Sequence, residues 1–179
     1  MRWDRLFDDL EAQLEAQDRR ERDGEIADRT RAERARVTLS ERLVAAVGAQ
    51  LALRLLGGDD VRGELLDTGE GWLLLQERTR TVLVPLPAVV SIHGLSGARR
   101  DDARARRFGL GYALRVISRD RRPVVVGDIA GGSAHGTVDA VGADAFDLAE
   151  HPLDAPRRRD SVRSVRTIPF AGLASVSSG

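Results

Sequence analysis

Arginine offers most of the chemistry in this sequence, and it comes in clusters. Arg99, Arg100, Arg104, Arg106 and Arg107 lie close together, and Arg119, Arg121 and Arg122 follow. Arg157, Arg158 and Arg159 form a run, with Arg163 and Arg166 just beyond. Guanidinium groups pair with phosphate oxygens, and their binding releases counterions. Arg104, Arg106, Arg107, Arg121, Arg122, Arg157, Arg158, Arg159 and Arg163 are therefore candidate nucleic-acid contacts. The competing use of these side chains is solvation, or pairing with the acidic stretch between the clusters. Stacking of bases has little to draw on, because only Phe108 and Tyr112 are near in sequence.

The other reactive residue types are sparse. His93, His135 and His151 lack metal-ligand spacing, and no cysteine is present to complete a zinc site. Each histidine is expected at the surface or at a strand edge. Without cysteine there is no thiol nucleophile, and without lysine no Schiff base and no P-loop lysine. No Gly-x-Ser-x-Gly elbow occurs. Gly109-Leu110-Gly111 opens like a dinucleotide loop, but Leu114 stands where the third glycine belongs and no βαβ unit surrounds it. The expectation is a protein that is not an enzyme, with no catalytic residue, no cofactor, no metal and no small-molecule substrate.

Charge sharpens this reading. The 179 residues carry 28 basic and 28 acidic side chains, and all the basic ones are arginine. The balance is segregated: residues 98–123 are net +6, residues 124–156 net −6 and residues 157–179 net +4. No apolar run reaches the length of a membrane span. Met1-Arg2-Trp3-Asp4 does not open a signal peptide. The expected setting is the cytoplasm, away from membranes.

Hydrophobic periodicity places the elements that must hold these residues. Trp3, Leu6, Phe7, Leu10 and Leu14 recur at helical spacing, so residues 1–36 read as a charged amphipathic helical region. That stripe must be buried against something, and it is a candidate surface for self-association or a protein partner. Thr38 and Glu41 have capping-box spacing and start a short helix that ends near Gly48. The period then changes to alternation. Leu51, Leu53 and Leu55 begin a series of about five short strands, with turn signals at 57–60 and 69–71 and a proline interruption at Pro85-Leu86-Pro87. The proline step predicts a 3₁₀ turn before the last strand.

The same plan returns further on. At an offset of 73, Arg42 falls on Arg115, Leu51 on Val124, Gly58 on Gly131, Gly63 on Gly136, Gly69 on Gly142 and Leu75 on Leu148. After an insertion of 11 residues the offset becomes 84, and Val84-Pro85-Leu86 falls on Ile168-Pro169-Phe170. The insertion lies between the third and fourth strands of the second copy and carries Arg157, Arg158 and Arg159.

The run from Leu51 to Leu65, with apolar alternation, a turn at Gly57-Gly58 and then Val61-x-Gly63-x-Leu65, resembles the first signature of Sm-like (LSm) proteins. Val124 to Leu148 is similar but weaker. The resemblance implies small SH3-like β-barrels, oligomeric assembly and RNA binding. The chain departs from that family where a base would be read. It contains no asparagine, and Leu83-Val84-Pro85 and Thr167-Ile168-Pro169 replace the family's Arg-Gly step. The expected fold is mainly β with an N-terminal helix and two tandem five-stranded Sm-like barrels, each preceded by a short helix. The expected division is 1–36 helical, 37–97 first barrel, 98–109 basic linker and 110–179 second barrel. The expected role is a scaffold that associates with itself or with a protein partner, the alternative being an RNA- or DNA-binding regulator.

Overall fold

The computed structural model describes residues 35–97, 106–153 and 161–178. The helical stripe of Trp3, Leu6, Phe7, Leu10 and Leu14 lies outside the described residues, as do Arg99, Arg100, Arg104 and the run Arg157, Arg158 and Arg159. Leu39–Gly179 falls in one compact unit.

Its first series begins with helix α1 (Leu39–Ala45), then β1 (Gln50–Leu55), β2 (Asp60–Glu70), β3 (Trp72–Glu77) and β4 (Arg80–Pro85). A 3₁₀ turn (Leu86–Ala88) leads into β5 (Val89–His93). Strand β6 (Arg106–Gly109) and helix α2 (Leu110–Asp120) form the connection. The second series is β7 (Val124–Asp128), β8 (Ser133–Val141), β9 (Ala145–Glu150), β10 (Ser164–Pro169), a second 3₁₀ turn (Phe170–Gly172) and β11 (Leu173–Ser178).

The chain is thus mainly β, and the strands form one large sheet that is not closed. Their order is β10-β9-β8-β7-β11-β4-β3-β2-β1-β5. All neighbours are antiparallel except β6, which lies parallel beside β2. The internal repeat is reproduced residue by residue in the pairing. Leu51 faces Gly63 as Val124 faces Gly136. Leu65 faces Leu75 as Val138 faces Leu148, and the ladder slips just after each of these pairs. Leu53 faces Ile92 as Val126 faces Val176. The proline steps agree too: Leu86 N–H donates to Gly71 O at 2.8 Å, and Phe170 N–H to Asp144 O at 2.7 Å.

Close backbone approach explains one repeated glycine. A Cβ on Gly63 would overlap the Gln76 carbonyl of β3, and a Cβ on Gly136 would overlap the Ala149 carbonyl of β9. Only glycine lets the second strand cross the third so tightly.

Two apolar clusters hold the sheet. One lies within the first series and includes Leu43, Leu51, Leu53, Leu65, Leu73 and Leu75. The other is built on Leu114, Val124, Val126, Phe146, Leu148 and Leu173, and takes in Trp72 and Leu83 from the first series. Helix α2 turns Leu110, Ala113, Leu114 and Ile117 to this second cluster, at the i, i+3, i+4, i+7 spacing of one helical face. Its Ser118 hydroxyl donates to Val138 O at 3.1 Å. Arg121 ends it in the left-handed region at φ 52.

Two features differ from the sequence reading. The basic linker contains β6, anchored where the Trp72 indole N–H donates to Phe108 O at 2.7 Å. And His151 is buried, 1 % exposed, rather than lying at the surface. Its Nδ1 lies 2.8 Å from Pro152 O, and a carbonyl only accepts, so the proton sits on Nδ1. Nε2 then accepts from the Thr137 hydroxyl, also at 2.8 Å and also buried. His93 and His135 are exposed as expected.

Candidate functional site

Among the described residues, a single strand pair joins the two series in the sheet. Strand β4 runs beside β11, with Leu83 facing Val176, Val82 facing Ser177 and Thr81 facing Ser178. In repeat terms, the fourth strand of the first series joins the fifth strand of the second. This leaves the fifth strand of the first series and the fourth of the second at opposite ends of the sheet. Among the described residues, β5 pairs only with β1, and β10 only with β9.

Burial follows the pairing. In β4 the run Val82 to Pro85 is buried, whereas in β10 the corresponding Arg166, Thr167 and Pro169 are exposed and only Ile168 is buried. In β11 Leu173, Ala174, Val176 and Ser177 are buried, whereas Val90, Ser91 and His93 of β5 are exposed. Among the described residues, the most exposed large apolar side chains sit on these two strands, Val90 at 59 % and Val165 at 60 %. A strand edge with such side chains is a template for another strand.

Each edge carries its own polar dress. On β10, Arg166 pairs with Glu150 at 2.8 Å, and Ser164 donates its hydroxyl to the same carboxylate. Thr167 donates to Asp147 at 2.6 Å. Beside β5, a cleft of about 240 Å³ is lined by Arg54, Asp60, Arg62, Ser91 and His93. Arg54 and Asp60 pair across it at 3.1 Å. The paired residues of the seam, by contrast, include no charged side chain.

The arginines proposed from sequence are placed unevenly. Arg106 lies on β6, and Arg107 is exposed beside it. Arg121 and Arg122 are exposed just past α2, and Arg122 pairs with Asp120 at 3.3 Å. Arg163 is exposed, and its backbone N–H donates to Glu150 O at 2.8 Å, which sets it at the start of β10. Arg80 and Arg122 line one cleft with Pro123, Val125, Leu153 and Ser177. Among the described residues no group of histidine and carboxylate side chains could hold a metal. Nor is any described helix long and apolar enough to cross a membrane.

Two further constellations were not visible in sequence. At the β3–β4 hairpin, burial alone would raise the Glu77 carboxyl. The Arg62 N–H at 3.1 Å, the Arg80 side chain at 2.7 Å and the charges of Arg80 and Arg78 outweigh it and hold Glu77 below the usual carboxylate value. Beside α2, an apolar cleft of about 310 Å³ is lined by Trp72, Leu74, Phe108, Tyr112, Val116 and neighbours. Phe108 and Tyr112 stack there with ring centres 4.3 Å apart. The hairpin charges sit on ordinary strand residues, and the cleft joins segments 36 residues apart at the Trp72–Phe108 bond, so neither leaves a local pattern.

Compared with known proteins, the chain matches no family model, and no curated protein is significantly similar to it.

Proposed function

We propose that this protein is a non-enzymatic assembly module of two Sm-like small barrels, and that copies join end to end through the open edges β5 and β10. The β4–β11 seam carries this reading. It joins a fourth strand to a fifth strand, and β10 and β5 are the corresponding fourth and fifth strands left over. A second copy can repeat the seam with them, in a head-to-tail contact that closes into a ring or extends as a filament.

The nucleic-acid alternative draws less support from the described residues. Arg122 and Arg166 are already ion-paired with neighbouring carboxylates, and the stacked Phe108 and Tyr112 face an apolar cleft.

Sedimentation velocity over a range of concentrations tests the proposal. Species larger than the monomer are expected, growing with concentration. Phe170 N–H donates to Asp144 O just before β9, in register with Pro169 facing Ala145, so alternation along the strand sends the Val165 and Thr167 N–H groups to the open side. Val165→Pro removes one of those donors without touching the β9 ladder, and is expected to leave a folded monomer. A wild-type chain that stays monomeric at high concentration overturns the proposal.

A further inference from the structure

This inference rests on the end-to-end reading above and concerns how that contact is controlled. The seam fixes the register of the outer junction through the repeat. Val176, Ser177 and Ser178 correspond to Ile92, His93 and Gly94, and Leu83, Val82 and Thr81 correspond to Thr167, Arg166 and Val165. Applied to the observed pairs, the register sets Ile92 against Thr167, His93 against Arg166 and Gly94 against Val165. In the seam the middle position is Ser177 against Val82, a small neutral residue against an apolar one. At the junction the same position holds two groups that can both be cationic.

We propose that His93 is a proton-sensitive latch on end-to-end association: neutral, it lies opposite Arg166 of the next copy, and protonated, it repels it. Directly opposed residues in an antiparallel pair project to the same face, and like charges there are unfavourable. Histidine is the side chain whose charge changes between about pH 5 and 8.

The surroundings reinforce the sign. On its own side His93 shares its cleft with Arg54, Asp60 and Arg62. Its Cα partner on β1 is Ala52, whose partner on β2 is Arg62. Asp60 is engaged by Arg54 at 3.1 Å. Glu64 lies further along β2, opposite Gln50. Glu77 is held by Arg62 N–H and Arg80 at the hairpin. Across the junction, Glu150 is engaged by Arg166 at 2.8 Å and Asp147 by Thr167 at 2.6 Å. Asp60 and Glu150 are each balanced by an arginine, so a protonated His93 adds one unbalanced positive charge beside Arg62 and opposite the Arg166–Glu150 pair.

The experiment is sedimentation velocity of the full chain at about pH 8 and about pH 5.5. Association is expected to weaken about fivefold per junction at the lower pH. His93→Gln is expected to associate equally at both, and Arg166→Gln likewise, while His135→Gln keeps the wild-type dependence. Circular dichroism at both pH values separates loss of association from loss of fold. If wild type associates without pH dependence, or His93→Gln retains it, the latch is wrong and end-to-end assembly stands. If wild type does not associate at either pH, the assembly reading falls and the latch with it.

Discussion

Single residues carry the parts of this fold that are most sharply testable. Gly136 sits where its second strand crosses under the Ala149 carbonyl, so Gly136→Ala forces backbone apart. It is expected to cost about 3 kcal/mol in denaturant unfolding, with Gly63→Ala behaving alike. Thr137→Val leaves the buried Nε2 of His151 without its donor, and a loss of about 1–3 kcal/mol is expected by the same measurement. Glu77 gives a pH-dependent case. Its carboxyl is held below its ordinary value of 4.5, so its charged form stabilises the native state above that pH. The contribution is lost as pH falls through the lowered native value. Glu77→Gln is therefore expected to be less stable than wild type at neutral pH, by about 1 kcal/mol, and to converge with it in acid. Melting temperatures across pH check this; a gap that persists in acid contradicts it. Of these residues, the two glycines were legible in sequence, because their spacing repeats. The Thr137–His151 bond was not, since Thr137 lies on β8 and His151 just past β9, 14 residues apart, and only the fold brings them together.

At the scale of elements, what sequence revealed was whatever depends on local period. The helix after Thr38, the alternating strands, the proline step and the offset of 73 and then 84 all reappear in the pairing. What it missed depends on a distant partner. Strand β6 has four residues and no alternation, and it exists because β2 and the Trp72 indole receive it. Trp72→Phe keeps most of the apolar bulk and loses the bond to Phe108 O. Faster amide hydrogen exchange is expected in β6 than in the β7–β9 ladder, and unchanged protection of β6 would contradict that anchor. The strand order also needed the structure. Sequence showed two copies of one plan, and the seam shows how they join: apolar residues Trp72 and Leu83 of the first series are buried in the second cluster. Their counterparts in the second series are Ala145 and Thr167, which accounts for a fixed inner seam and a more polar outer edge.

The described residues from Leu39 on carry an open sheet with two unlike ends, and the proposed assembly fits one end to the other. The charge blocks seen in sequence acquire a place in this picture without deciding it. Part of the acidic block lies on β9, where Glu150 and Asp147 dress the β10 edge against solvent. Such polar dressing would make the proposed edge pairing reversible rather than obligatory. Because the chain has no cysteine, the junction can be read directly by cross-linking. Ile92→Cys and Thr167→Cys are made in separate proteins, mixed at neutral pH and oxidised. Facing Cα atoms in an antiparallel pair lie about 4.5–5.5 Å apart, within disulfide reach. The account predicts a covalent heterodimer from this pair and none from Val90→Cys with Thr167→Cys, which the register sets apart. Equal cross-linking of both mixtures, or of neither, would contradict end-to-end pairing of β5 with β10.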